Sequence, residues 1–217
     1  MEIVESPPMP SMLPTPVALL PAAGASRRMG RPKLLLPYLD GTIAGALVAS
    51  LRAAGVETIA LVTAPEDTAL QEWARAAGLL AAVNPDPERG MLSTIQEGIA
   101  ALGGAAALLE QRRTLLISPA DLPALRAATV AEVVRRREAA NAPLALPVWQ
   151  GHHGHPLVIA PELIPEIAGL DPAIGLRQLR DRHAAATLWI EVDDPGAVQD
   201  VDTPDDYEAL TGAMLRS

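Results

Sequence analysis

Four basic residues, Arg27, Arg28, Arg31 and Lys33, fall within seven positions directly after a run of small ones, Ala22 to Ser26. Small residues let backbone N–H groups approach an anion closely, and the cationic side chains then add charge-assisted hydrogen bonds to phosphate oxygens. The segment is not a Walker loop, because five residues separate Gly24 from Gly30 and Arg31 stands where a lysine is needed. It does not fit G-x-G-x-x-G either. Lys33 is the sole lysine against sixteen arginines, which points to a place where a compact point charge is wanted rather than a planar fork. The plainer reading is a solvated basic turn. A second group, His152, His153 and His155 in the turn Gly151 to Pro156, invites zinc. Three imidazoles on one short turn, without cysteine or a matched acid, make a poor tetrahedral site.

These residues need a frame to position them. The chain has 217 residues, 49% of them apolar, with 16 glycines and 21 prolines. That length suits one domain, and that composition excludes collagen and wholesale disorder. Short apolar runs alternate with amphipathic ones, the pattern of strands and crossover helices in an α/β sheet. Strands are expected at 17–20, 58–63, 79–83, 114–118 and 187–192. Helices are expected at 66–77, 91–102 and 128–139, and another where Ile43, Leu47 and Leu51 recur four apart before Gly55. The runs 144–149 and 157–160 flank the Gly/His turn and read as a small antiparallel flap. A final helix is marked by Thr203 as cap, Pro204 at its first position and Asp205 and Asp206 in its first turn.

The net charge of −9 repels nucleic acid and anionic membrane surfaces, so any bound phosphate must be gripped locally. Five aromatic residues, none of them Phe, exclude a row of base-stacking rings. There is no cysteine, hence no disulfide framework, thiolate zinc site or cysteine nucleophile. Residues 1–16, with Glu2, Glu5 and five prolines, lack the basic start and apolar stretch of a secretory signal. They read as a flexible tail before a single domain at 17–217, and a cytoplasmic location is the economical expectation.

Pro21-Ala-Ala-Gly-Ala-Ser-Arg-Arg-Met-Gly30 followed by Pro32-Lys-Leu-Leu-Leu-Pro37 resembles the opening of the MobA-like nucleotidyltransferases, especially their molybdenum cofactor cytidylyltransferase branch. Asn84-Pro-Asp86, Gly90 to Gly98, Ser118-Pro-Ala-Asp-Leu-Pro123, Gly154-His-Pro156 and Asp200-Val-Asp-Thr-Pro-Asp205 resemble further segments of that family, in the same order. The resemblance spans residues 17–210. It implies a Rossmann-like three-layer α/β fold with a mostly parallel sheet, in which ligands sit outside the carboxyl ends of the strands.

The resemblance further implies that Ala22, Ala23, Gly24, Ser26, Arg28 and Lys33 line a nucleoside triphosphate. Asn84, Gly90, Ser93 and Thr94 would lie near its base and ribose, and His155 in the acceptor region. Ser93 and Thr94 could instead be helix caps. Asp121 and Asp202 would hold Mg²⁺, a hard ion that takes carboxylate oxygens, with Asp200 in reserve. A helix-cap reading stands beside each of the two.

The sequence departs from the family pattern at Pro21, at His153 in place of an arginine before the Gly-His-Pro turn, and at Leu39 to Thr42. Ala23, where guanylyl members have a second glycine, favours CTP over GTP. The implied acceptor is a phosphorylated small molecule such as molybdopterin, and a molybdoenzyme is a possible protein partner. A sugar 1-phosphate acceptor, or a non-catalytic nucleotide or pterin carrier, remains as an alternative.

Overall fold

The run Val17–Ala22 forms β1 at the centre of an eight-stranded sheet in the computed structural model, which describes residues 15–24 and 32–212. Its neighbours are β4 (Thr58–Thr63) and β6 (Leu115–Ile117), both parallel to it, and β5 (Leu80–Val83) continues in parallel beyond β4. Parallel strands buried on both faces need continuous apolar runs, and 58–63 is buried along all but its first residue. Alternation then sends successive side chains to opposite layers. Ala18 and Leu20 join Ile43, Leu47, Ile59, Leu61, Leu116 and Val130 in one cluster, while Val17 and Leu19 join Val62, Leu92, Ile95, Leu115 and Ile117 in another. The first layer is covered by α1 (Ile43–Ala53), α2 (Thr68–Ala76) and α5 (Ala127–Ala140). The second is covered by α3 (Met91–Ala101), α4 (Ala105–Glu110) and the 3₁₀ segment Pro161–Gly169. The three-layer, mostly parallel α/β arrangement matches the expectation.

The antiparallel pairing expected at 144–160 occurs, but inside the main sheet. β7 (Leu144–Trp149) turns through β8 (His152–His153) into β9 (Leu157–Ile159), and β9 lies between β7 and β6, antiparallel to both. A connection this short can join only antiparallel neighbours. β10 (Leu188–Glu191) adds in parallel at the β7 edge. The separate small antiparallel sheet is formed by β2 (Pro37–Tyr38) and β3 (Gly41–Thr42), where the sequence departs from the family turn. The helices α6 (Arg177–Arg182) and α7 (Pro204–Thr211) complete the described chain. The tail expected at 1–16 lies outside the described residues except for its last two.

One loop fastens the carboxyl edge of the sheet. The buried carboxylate of Asp194 accepts from the backbone N–H groups of Gly196 and Arg126, both at 3.0 Å, and from the hydroxyl of Thr129 at 2.6 Å. A Cβ on Gly196 would lie 2.2 Å from the carbonyl oxygen of Ala124, and one on Gly154 would lie 2.6 Å from that of Ala197. Residues 194–197 are therefore wedged between the loop after β6 and the turn before β9. Gly196→Ala must push backbone against backbone, and it should cost about 1–3 kcal/mol by overpacking. Urea unfolding measures this, and an unchanged midpoint would contradict the wedge.

Candidate active site at the carboxyl edge of the sheet

Lys33 opens a single 3₁₀ turn, Lys33–Leu35, whose flanking Leu34 and Leu36 are buried in the core. Their burial fixes where the lysine stem starts. The Nζ of Lys33 donates to Asp121 Oδ2 at 2.5 Å and to Asp202 Oδ1 at 2.6 Å. Residues far apart in the chain are thus joined by one ammonium group. Side-chain exposure is 15% for Lys33, 12% for Asp121 and 40% for Asp202, so the cluster is sheltered on one side and open on the other. Burial opposes the lysine charge, but hydrogen bonds and the charges of the two carboxylates outweigh it and raise its pKa above the usual 10.5. A raised lysine value means that the stabilisation is complete below the unfolded pKa and fades only as pH climbs through the folded one. The ammonium is therefore charged throughout the neutral range.

Three tethers bring the ends of this triangle together. The N–H of Val201 donates to the Asp121 carbonyl at 3.0 Å, which sets the Asp200 to Asp202 segment beside the loop after β6. Thr203 and Asp206 form a capping box at the start of α7, in which Asp206 Oδ2 also accepts from the backbone N–H of Asp202 at 3.1 Å. Hydrogen bonds from Thr203 hold the Asp206 carboxyl below its ordinary pKa. Finally, the Tyr207 hydroxyl donates to the Pro37 carbonyl at 2.7 Å, pinning α7 to the strand that follows Lys33.

These contacts decide between the readings the sequence left open for the two aspartates. The cap of α7 is Thr203, so the Asp202 side chain is turned to Lys33 instead. Asp202 does not come off a strand, because β10 ends at Glu191 and a loop intervenes. No helix starts at Asp121; α5 begins at Ala127 with Arg126 as its cap residue.

Asp121, Asp200 and Asp202 each offer an oxygen within 4.8 Å of the others. Asp121 Oδ1 is buried, and among the described residues it has no hydrogen-bond partner, which leaves a carboxylate lone pair unspent. All-oxygen donors of this kind suit a hard divalent ion such as Mg²⁺ or Mn²⁺. Burial, and then the charges of Asp121 and Asp202, push the Asp200 carboxyl above its usual pKa. Among the described residues this is the one group of three or more such ligands that could hold a metal, and the histidines are not part of one.

The remaining expected residues divide. Ala22 and Gly24 stand at the end of β1, Ala23 between them has its side chain buried, and a Cβ on Gly24 would meet open space. Ser26 and Arg28 lie outside the described residues. Asn84, Ser93 and Thr94 form a separate buried clasp. Asn84 Nδ2 donates to Ser93 Oγ at 2.8 Å and to Thr94 Oγ1 at 3.0 Å, while its Oδ1 accepts from the Asp86 N–H. Neither hydroxyl belongs to the cap residue of α3, which is Gly90 at φ +92°, a conformation that favours glycine. The clasp follows β5, two strands from β1 on the same edge. His155 lies on the opposite side of β1, in the turn before β9, its N–H donating to the Ala197 carbonyl at 2.8 Å. The sequence reading missed Asp194, although Asp194-Pro-Gly196 carries the signature of a tight turn.

Residues 18–187 match the family described as MobA-like NTP transferase domain. The chain is similar to a protein of Escherichia coli (strain K12) named molybdenum cofactor cytidylyltransferase, 27% identical over 87% of this chain and 92% of that one. It is also similar to the purine catabolism protein PucB of Bacillus subtilis (strain 168), at 26% over 89% and 94%. Among solved structures it resembles Rv0371c of Mycobacterium tuberculosis H37Rv, at 27% identity and a TM-score of 0.74 over 94% of this chain and all of that one. A second structure of Rv0371c is described as a complex with manganese. No helix among the described residues is long and apolar enough to cross a membrane.

The lysine ammonium and a divalent ion compete for the same carboxylates. Lys33→Ala should therefore tighten Mn²⁺ binding to the nucleotide-free protein by on the order of tenfold, since removing one nearby unit charge is worth several kcal/mol at an effective dielectric near 20, much of it screened at this open site. Electron paramagnetic resonance of free Mn²⁺ follows the titration. Weaker binding in the variant would show that the ammonium supports the metal site rather than occupying it.

Proposed function

The chain belongs to the MobA-like NTP transferase family, and on that premise we propose that it is a Mg²⁺-dependent cytidylyltransferase that moves CMP from CTP onto the phosphate of molybdopterin. We read residues 17–217 as the single domain that does this. The observation that carries the proposal is the meeting of Lys33 with Asp121 and Asp202 at the carboxyl edge of a parallel sheet. There, a strand-to-loop turn of small residues precedes a cation that faces a pair of carboxylates.

In the proposed reaction a phosphate oxygen of the acceptor attacks the α-phosphorus of CTP, forming one P–O bond. The bond from that phosphorus to the bridging oxygen of the β-phosphate breaks, and pyrophosphate leaves with its electron pair. A phosphate monoester is already ionised near pH 7, so no general base is needed. The work left to the chain is positioning and charge neutralisation.

Backbone N–H groups at Ala22 to Gly24 would receive triphosphate oxygens, together with Ser26 and Arg28. Lys33 would leave the carboxylates and hold its charge against the leaving oxygens. Asp121 and Asp202, with Asp200 beside them, would hold the metal. Such an ion would supply positive charge to neutralise the negative charge that grows as pyrophosphate departs. Asn84, with Ser93 and Thr94 locked to it, would shape the pocket for base and ribose without itself reacting. His155 would border the acceptor. The curated relative named as a molybdenum cofactor cytidylyltransferase supports the choice of nucleotide and acceptor, and a molybdoenzyme that receives the product is the implied protein partner.

Lys33→Ala and Asp121→Asn should each lower pyrophosphate release by on the order of 10²-fold or more, while thermal melting stays cooperative. Full activity in both variants would remove the site assignment. A melting panel with CTP, GTP, ATP and UTP in Mg²⁺ should single out CTP, since a ligand at about 100 times its dissociation constant adds roughly 2.7 kcal/mol. A GTP response larger than the CTP response overturns the cytidylyl reading, and binding without pyrophosphate release would make the protein a carrier.

A further inference from the structure

At the end of β6 lies a cavity of about 180 Å³, roughly six waters' worth at about 30 Å³ each. That is room for a small organic group rather than a lone ion. Its walls include Ile117 at the end of β6, together with Leu146 and Leu157, and it carries four nitrogen-bearing side chains, His153, His155, Arg177 and Arg180. The cavity borders the reaction edge. Ile117 ends the strand that leads to Asp121, and the turn that carries His155 is bonded to the loop that leads to Asp202.

The four nitrogen-bearing groups are not equivalent, and the His153 ring lies against Trp189 with ring centroids 4.3 Å apart. Burial pushes the His155 pKa below its usual value, partly offset by a hydrogen bond to the Ile117 backbone and by the charge of Asp121, so the imidazole is neutral at pH 7. Its Nδ1 is buried, and among the described residues it has no hydrogen-bond partner. Arg177 points outward and lies 3.6 Å from Asp181, one turn along α6. Arg180 is half-buried, and among the described residues no carboxylate pairs with it. A guanidinium is charged at any physiological pH and presents a fork that matches phosphate oxygens. In a chain of net charge −9, an arginine left without a carboxylate at the wall of an apolar cavity is set for an external anion.

We propose that Arg180 binds the phosphate of the acceptor, with the apolar walls taking the part of the acceptor that adjoins that phosphate. This assignment rests on the nucleotidyl-transfer reading above for the word acceptor, but the anion site itself does not. Arg180 thereby holds the nucleophile from the side opposite the triphosphate, and α6 becomes the element that sets acceptor choice.

Isothermal titration of the full chain with phenyl phosphate, against inorganic phosphate as the bare anion, tests the site. Phenyl phosphate should bind the unmodified protein more tightly than inorganic phosphate does. Arg180→Met should weaken phenyl phosphate by about tenfold or more, the scale of one charge-assisted hydrogen-bond pair. Arg180→Lys should recover part of the loss, and the CTP response in Mg²⁺ should be the same in all three proteins. Unchanged phenyl phosphate affinity in Arg180→Met, or no preference over inorganic phosphate, overturns the proposal. If pyrophosphate release is never seen while binding stays dependent on Arg180, the anion site stands and the transferase reading falls.

Discussion

One ammonium group held between two carboxylates organises the carboxyl edge of the sheet. Lys33 reaches Asp121 and Asp202 from a different loop than either, and neither acid would tolerate the other nearby without it or another cation. Like charges brought within a few ångströms repel strongly where water is partly excluded, so the sheltered side of the cluster demands a counter-ion at all times. The folded chain meets that demand with its own lysine. Among the described residues the same arrangement leaves Asp121 Oδ1 without a partner, an oxygen that a further ligand could take.

Around that triangle the fold supplies rigidity of two kinds. Leu34 and Leu36 in the core, and the β6 strand behind Asp121, hold two corners by apolar packing. The third corner is held by polar devices: the Thr203–Asp206 capping box, the Tyr207 to Pro37 hydrogen bond and the wedge at Gly196. A corner placed by hydrogen bonds over an exposed loop opens more readily than one placed by a buried strand. Asp202, at 40% exposure, sits on the compliant side, where a ligand can enter between the carboxylates.

The frame was legible because parallel strands buried on both faces leave unbroken apolar runs. The run Thr58–Thr63 could be bounded to the residue, and the start of α7 could be read from Thr203, Pro204 and two acids, because capping is a local matter of who accepts from the first N–H groups. The run at Leu157–Ile159 was legible as a strand but not as a central one. Its place between β6 and β7 depends on which neighbours complete its hydrogen bonds, and residue order carries no trace of that. The hydroxyls of Ser93 and Thr94 suggested a ligand surface, yet they are bonded inward to Asn84, a pairing between two elements that spacing alone does not reveal.

Residue types and their order along the chain were enough to establish the α/β class and to single out the lone lysine, while Asp121 and Asp202 were marked by resemblance to the family. The first two depend on short-range physics: side-chain periodicity, propensity and the cost of burying charge. What needed the folded molecule was which aspartates face that lysine, how the segment after β10 crosses to reach it, and that among the described residues no acid pairs with Arg180 beside an apolar cavity. Those are distances between residues remote in the chain, and they are set by sheet order and by loop packing against other loops, which only the assembled structure contains.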